Sequence, residues 1–324
     1  MGRGYPVALF LATALVAGVA GCGGDDDSSD DTASHDPPPP REFPPAKGRT
    51  LEQIYAEATP DQDLVVAPAG QAYTPGRNRF SFGLFTAAGD QVTDATVALY
   101  VAHGATGEAR GPYPARVESL ETDPGFVAQT TADDPDSAKA VYVTDIRLGR
   151  PGEWRVIAIR DDGGELSSAR APSLRVAEYA SIPDVGERAP VVHTPTTEDV
   201  GDVGEIDTRV PHDTMHDVDL ADVIGKEPVV LLFATPALCV SRVCGPVVDV
   251  AEQLKGEYGD QVAFIHMEIW ANNVYGKKLR PQVEAYGLRT EPWLFVIDDS
   301  GRVNTRIEGA FSADELEAAL QKVT

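Results

Sequence analysis

Apolar residues follow several distinct patterns along the chain. Val7 to Ala20 is a run of fourteen residues interrupted only by Thr13 and Gly18. Gly23 to Pro45 has no apolar face; it carries Asp25, Asp26, Asp27, Asp30, Asp31, Asp36 and the prolines Pro37 to Pro40. That composition predicts a charged and then stiff disordered tether, assigned to 22–60. From Asp63 to Ala177, short runs alternate apolar and polar residues between Gly and Pro turns. Around Tyr179 to Ala189 the alternation stops, and Pro183, Gly186 and Pro190 mark a linker.

The alternating region, residues 61–180, reads as an all-β domain. Phe80, Phe82 and Leu84 share one face of a strand, and Val97, Leu99 and Val101 share one face of the next. Val141 to Val143 and Trp154 to Ile159 continue the pattern. About seven such strands without a helical stretch predict an antiparallel sandwich of immunoglobulin type. Trp154 is expected in its core, and His103, beside Gly104, at a solvated strand end. No nucleophile, metal cluster or phosphate loop stands out in this domain, so the pattern predicts a spacer, docking or binding role.

Residues 186–324 change to the order strand, helix, strand, helix, strand, strand, helix. Val229 to Phe233 is a continuous apolar run, as expected of a strand buried on both faces. Val247 to Tyr258 has helical spacing, Val262 to Ile265 reads as a second buried strand and Leu279 to Tyr286 as a short helix. Trp293 to Ile297, a turn at Asp298 to Gly301, and Val303 to Glu308 form a hairpin. Ser312 followed by Glu315 predicts a capping box opening a terminal helix to Val323. The result is a mixed sheet flanked by helices.

The N-terminal run reaches about 21 Å as a helix, short of the ~30 Å hydrocarbon core, so it reads as the apolar segment of a signal peptide over 1–21. It ends in Val19-Ala20-Gly21-Cys22, which resembles the bacterial lipobox. That resemblance implies an acylated Cys22 as mature N-terminus and a lipoprotein on the extracytoplasmic face of the cell membrane. Each buried methylene contributes about 0.8 kcal/mol to such an anchor.

Phe233-Ala-Thr-Pro, then Cys239, a helix and a strand, and Tyr286-Gly-Leu-Arg-Thr-Glu-Pro292-Trp-Leu-Phe-Val-Ile-Asp298 resemble the thioredoxin-like superfamily, in particular its exported, membrane-anchored TlpA-like redoxins. The likeness covers roughly Gly186 to Thr324. It implies an α/β thioredoxin-like domain, thiol–disulfide exchange at Cys239 and Cys244, and a cis Pro292 against the active sulfur. The implied partners are exported proteins bearing thiols or disulfides. A reducing role would draw electrons from a membrane thiol reductase. No cofactor is expected.

The family spacing is Cys-x-x-Cys, whereas Cys239 and Cys244 enclose four residues. In a continuous helix they would stand about 7.5 Å apart along the axis and about 140° around it. Bridged Cα atoms rarely exceed about 6.8 Å, so either Cys239 precedes the helix or its first turn unwinds. Gly245-Pro246 favours a helix beginning near Pro246, with both sulfurs in the loop before it. A helix N-terminus lowers a thiol pKa, and Arg242 adds a cation in the same loop. Cys239, nearer the strand end, is the expected nucleophile and Cys244 the resolving partner. Thr235 and Glu291 are supporting candidates; a carboxylate at Glu291 would oppose the helix dipole.

The chain has 27 Lys plus Arg against 51 Asp plus Glu, a net charge of −24, which argues against a nucleic-acid or anionic-membrane surface. Its 30 Gly and 25 Pro make a mostly helical protein implausible. Only three cysteines occur, too few for a disulfide-stapled mini-scaffold. Other readings stay open. The Cys-x4-Cys pair resembles that of a bacterioferritin-comigratory-type peroxiredoxin, although Thr235 lies four before Cys239 where that family places a Thr three before. A Sco-like copper chaperone would use the cysteines with a His. The soft-ligand cluster His212, Met215 and His216 is a weak metal alternative, read more simply as solvated loop residues. A further reading makes Cys239–Cys244 a structural disulfide in a non-catalytic binding lipoprotein.

Overall fold

Alternation alone explains how the first domain closes. Phe80, Phe82 and Leu84, fully buried, point from one sheet toward Val97, Leu99 and Trp154 of another. The computed structural model describes Met1, residues 32–178 and residues 181–324. Cys22, the expected signal peptide after Met1 and the start of the expected tether lie outside the described residues. So do the linker residues Tyr179 and Ala180.

In chain order the first domain comprises α1 (Leu51–Tyr55), β1 (Thr59–Pro60), β2 (Leu64–Pro68), β3 (Gly76–Thr86), β4 (Gln91–Val92), β5 (Thr96–His103), β6 (Arg110–Pro114), β7 (Arg116–Ser119), α2 (Gln129–Ala132), β8 (Ala140–Leu148), β9 (Gly152–Asp162) and β10 (Glu165–Val176). One sheet has the order β1-β10-β9-β5-β6; the other runs β2-β3-β8-β7, with β4 added to β3. All pairings are antiparallel except β1 with β10.

Residues 32–60 differ from the disordered tether that their composition predicts. Phe43, Leu51 and Ile54 are buried against Ala98, Tyr100, Ile157 and Ile159, on the face of β5 and β9 turned away from the sandwich interior. The Tyr100 hydroxyl donates to the Pro44 carbonyl at 2.6 Å, and a Thr50–Gln53 capping box starts α1. The physical reason lies in β5 itself. Val97-Ala-Leu-Tyr-Val-Ala102 is apolar at every position, so its outer face also needs a cover.

The second domain comprises α3 (Leu220–Val223), β11 (Val229–Phe233), α4 (Cys244–Tyr258), β12 (Ala263–Met267), α5 (Pro281–Ala285), β13 (Trp293–Ile297), β14 (Val303–Glu308) and α6 (Ala313–Leu320). Its sheet has the order β12-β11-β13-β14. β11 is parallel to β12 and antiparallel to β13, which pairs antiparallel with β14. Every residue of β11 and β13 is buried. Val230, Leu232, Leu294 and Val296 face α4 and α6, while Leu231, Phe233 and Phe295 face α3 and α5. This is the mixed sheet flanked by helices that the spacing of apolar residues predicts. Among the described residues, no helix is long and apolar enough to cross a membrane.

The domains share apolar and charged contacts. Leu120, Val141 and Val143 of the sandwich join the cluster around α4 and α6. Ser312 Oγ caps Glu315 N at 3.1 Å, as its sequence predicts. The Glu315 carboxylate, however, turns away from the cap to Arg79 at 2.7 and 2.6 Å and to Arg116 at 3.2 Å. A fixed guanidinium fork is the stronger partner for a carboxylate than a backbone N–H at a helix end. Helix α6 stops at Leu320.

Candidate functional site

The chain leaves the central strand β11 at Phe233 and reaches α4 eleven residues later. Ala234 N remains tied to the Met267 carbonyl at 3.2 Å, and Leu238 N closes a turn on Thr235. Cys239 lies in the loop that follows, and Cys244 is the first residue of α4. They form a disulfide with Cα atoms 5.9 Å apart, within the range that a continuous helix would not allow. The helix starts two residues earlier than Pro246 suggests. A proline within the first three helical positions forfeits no bond, because those N–H groups have no partner inside the helix.

The two sulfurs differ in access. Cys244 is fully buried in the cluster beneath α4, whereas Cys239 is half-buried, 3.1 Å from Ser241 Oγ, with Val240 beside it 73% exposed. Arg242 holds a left-handed conformation, φ +61°. Its carbonyl accepts from Ala138 N at 3.0 Å, and its guanidinium pairs with Asp136 at 2.9 Å. The charge expected to act on the thiols is therefore engaged with the sandwich.

Glu291 meets the sulfurs from the opposite side. A carboxylate oxygen of Glu291 and both Sγ atoms all lie within 4.8 Å of one another. The Glu291–Pro292 bond is cis, and the Pro292 carbonyl accepts from Gly309 N at 2.9 Å at the start of β13. Glu291 Oε2 is buried with no hydrogen-bond partner. Burial, and then the charge of Glu268, push its carboxyl up to about 8. At neutral pH it is chiefly a neutral acid and not the anion that would oppose the helix dipole. Thr235 is fully buried, and its hydroxyl also lacks a partner.

Glu268 is a residue that pattern reading missed. It is fully buried, and its Oε1 accepts from Thr208 N at 2.8 Å and Thr208 Oγ1 at 2.7 Å. The available signal was its position directly after β12, since ligands and chemistry gather at the carboxyl ends of parallel strands. Thr208 Oγ1 in turn accepts from Ala237 N at 3.1 Å, linking Glu268 to the loop that carries Cys239.

The first turn of α4 is also covered by the loop between β7 and β8. Asp249 pairs with Arg209 at 2.8 Å and accepts from Ala128 N at 3.2 Å. Arg209 Nη2 donates to the Phe126 carbonyl at 2.5 Å. Gln129 N donates to the Val210 carbonyl at 2.7 Å, and Thr131 packs on Gly245.

The remaining candidates separate from this site. Met215 is fully buried in the apolar cluster of the second domain, and His212 is partly exposed. His216 is not a solvated loop residue. It is buried beside Asp207, Asp213 and His266, because the segment 206–216 folds against β12. Among the described residues, no histidine joins the cysteines in a ligand-sized group. His103 lies edge-on against Trp154 at 5.4 Å.

No family model matches this chain, and neither does any curated protein. It is similar to a solved structure titled a putative thiol:disulfide interchange protein DsbE from Chlorobium tepidum. The identity is 20% over 44% of this chain and 98% of that one, with a TM-score of 0.32. It is also similar to a thiol:disulfide interchange protein, thioredoxin family protein, from Chlorobium tepidum TLS. There the identity is 16% over 42% of this chain and 94% of that one, with a TM-score of 0.29.

Proposed function

We propose that this chain is an extracytoplasmic thiol–disulfide oxidoreductase, anchored through a lipid on Cys22, with Cys239 as the exchanging sulfur and Cys244 as its resolving partner. One observation carries the reading: the sulfurs meet at the N-terminus of α4, Cys239 within reach of solvent and Cys244 sealed. A purely structural staple requires neither an accessible sulfur nor an unpartnered acid beside it. The sandwich, assigned to the immunoglobulin type on its strand pattern, holds the redox loop and presents it to partners. Those partners are exported proteins bearing thiols or disulfides, with a membrane thiol reductase as electron source when the chain reduces them.

In the reducing direction, the Cys239 thiolate attacks one sulfur of a substrate disulfide. The substrate S–S bond breaks, and its other sulfur leaves as a thiolate that takes a proton from water. Unpaired N–H groups at the start of α4 favour the thiolate form. Cys244 then attacks Sγ of Cys239, its proton passing to solvent. The second substrate sulfur leaves and collects a proton in turn. The substrate gains two electrons and two protons, and the cysteine pair loses them; oxidation of a substrate dithiol reverses each step.

The test uses glutathione. In Cys244→Ser, oxidised glutathione should form a stable mixed disulfide at Cys239, seen as one added glutathione by mass, whereas Cys239→Ser should form none and show no exchange. A pair that stays oxidised across graded dithiothreitol potentials in the native protein would leave only the staple. Cys22→Ser should move the protein from the membrane to the soluble fraction.

A further inference from the structure

A second polar cluster lies under the redox loop, formed by Asp207, Asp213, His216 and His266. One ligand atom from each lies within 4.8 Å of the others, and the four side chains are at most 1% exposed. Two carboxylates and two imidazoles thus share one sealed space.

Most of the hydrogen-bonding capacity there is assigned. Asp207 Oδ1 accepts from Arg209 N at 2.7 Å and Oδ2 from Asp213 N at 2.8 Å. Asp213 Oδ1 accepts from Met215 N at 2.8 Å, and Oδ2 lies 2.7 Å from His266 Nδ1. His266 Nε2 reaches the Ala234 carbonyl at 3.1 Å, so both ring nitrogens are engaged. His216 Nε2 is the exception: it is buried and makes no hydrogen bond. It stands 3.3 Å from Asp213 Oδ1 and 3.7 Å from Asp207 Oδ2. At the rim, His212 Nδ1 lies 3.4 Å from Asp207 Oδ2, on a side chain 41% exposed.

These separations are long for hydrogen bonds and suited to something else. Zinc bonds nitrogen and carboxylate oxygen at about 2.0–2.1 Å, and the edge of a tetrahedron with that radius is about 3.3–3.4 Å. The separations of His216 Nε2 from Asp213 Oδ1, 3.3 Å, and of His212 Nδ1 from Asp207 Oδ2, 3.4 Å, match that edge, and Asp207 Oδ2 to His216 Nε2 at 3.7 Å is near it, so these four side chains offer two nitrogen and two oxygen donors. Calcium and magnesium prefer oxygen donors, and a soft copper(I) site would need sulfur. Met215 offers none, because its side chain is in the apolar core. The second oxygens of both aspartates are already held by Arg209 N and His266, the outer partners that orient metal-bound carboxylates.

We propose that Asp207, His212, Asp213 and His216 form a structural zinc site, separate from the cysteines. His266 acts as a positioning residue between it and the redox loop, bonding Asp213 on one side and the Ala234 carbonyl on the other. His212 is the exposed ligand through which the ion enters. The segment fixed by the metal is the one that carries Thr208 and Arg209 to the Cys239 loop and to α4.

The test uses the full chain with its disulfide oxidised, so that no thiol competes, and zinc chloride alone as the probe. After dialysis, elemental analysis should find one zinc per chain, and zinc should raise the thermal midpoint. X-ray absorption should show nitrogen and oxygen neighbours without sulfur. His212→Ala, at the rim, should fold normally and bind at least ten-fold more weakly, and His216→Gln should retain no zinc. His193→Ala, at an exposed histidine paired with Asp219, should bind as the native chain does. The proposal is overturned if the native chain retains no zinc, leaving a metal-free ion-pair cluster, or if His212→Ala binds zinc as tightly as the native chain. Should His216→Gln fail to fold, the rim variant decides alone.

Discussion

The backbone N–H of Ala138 donates to the carbonyl oxygen of Arg242 at 3.0 Å, so the sandwich domain holds the loop between the two cysteines directly. The contact falls where the loop needs it. Arg242 sits at φ +61°, a conformation that costs a residue with a Cβ about 1–2 kcal/mol. The loop between β7 and β8 therefore acts on the disulfide loop as well as on the domain junction.

Removing that donor should make the disulfide easier to reduce. Ala138→Pro deletes one hydrogen bond of about 0.5–1.5 kcal/mol net, which corresponds to a rise of roughly 10–30 mV in the two-electron potential. Asp136→Asn should shift it by less than about 10 mV, since the Arg242–Asp136 pair is about half exposed and such pairs are weak. Equilibration with glutathione buffers reads both values. An unchanged potential in Ala138→Pro would mean that the loop keeps its shape unaided.

Glu291 predicts a pH dependence of definite sign. Burial, reinforced by Glu268, raises its folded pKa from 4.5 to about 8. A raised carboxyl stabilises the fold fully below pH 4.5 and loses that contribution as the pH rises through about 8. The oxidised protein should lose stability between those limits, and Glu291→Gln should flatten that part of the profile. The exchange rate should lose its inflection near pH 8 in the same variant. Parallel stability profiles for the two proteins, from denaturant titrations at each pH, would contradict this assignment.

Much of the fold is legible because it depends on local pattern. The unbroken apolar runs Val229 to Phe233 and Trp293 to Ile297 form the central strands of the second sheet, and Phe80, Phe82 and Leu84 face the sandwich core. The closeness of Cys239 and Cys244 follows from a strand end, a loop and a helix start close in sequence. Pattern reading fails where the partner is distant. Glu315 matches a capping box, yet its carboxylate is taken by Arg79, 236 residues away. His216 looks like a solvated loop residue because nothing near it reveals that the segment folds onto β12. Residues 43–58 look like tether because their prolines and charges outweigh a few apolar side chains, whereas the signal for a cover lies in β5.

Asp249 should be among the costly positions in α4. Its side chain is 2% exposed and that of Arg209 is 4% exposed, with no solvent to compensate either charge. Asp249→Ala strands the guanidinium and should cost about 3–5 kcal/mol in urea denaturation. Pairing it with Arg209→Met removes the stranded charge and should recover most of that loss. A double variant no more stable than Asp249→Ala would show that the guanidinium's other bonds, to the carbonyls of Pro211 and Phe126, matter more than the ion pair.

Arg79 should hold the domains together through geometry as well as charge. Its Nε and Nη2 donate to the two Glu315 oxygens at 2.7 and 2.6 Å, while Nη2 also reaches the Ala310 carbonyl at 2.7 Å and Nη1 the Glu308 carbonyl at 3.2 Å. Lysine can supply the charge but not the planar fork, so Arg79→Lys should behave almost as badly as Arg79→Met. Hydrogen bonds to charged groups contribute about 1.5–3 kcal/mol, and a loss of that size is expected in both variants. Hydrogen exchange should quicken at Ala310 and Phe311, between β14 and α6, and stay slow in β5 and β9. Arg77→Met is the control: its pair with Asp145 is 72% and 39% exposed and should change stability by less than about 1 kcal/mol. If Arg77→Met and Arg79→Met destabilise equally, the fork at Glu315 has no special part in joining the domains.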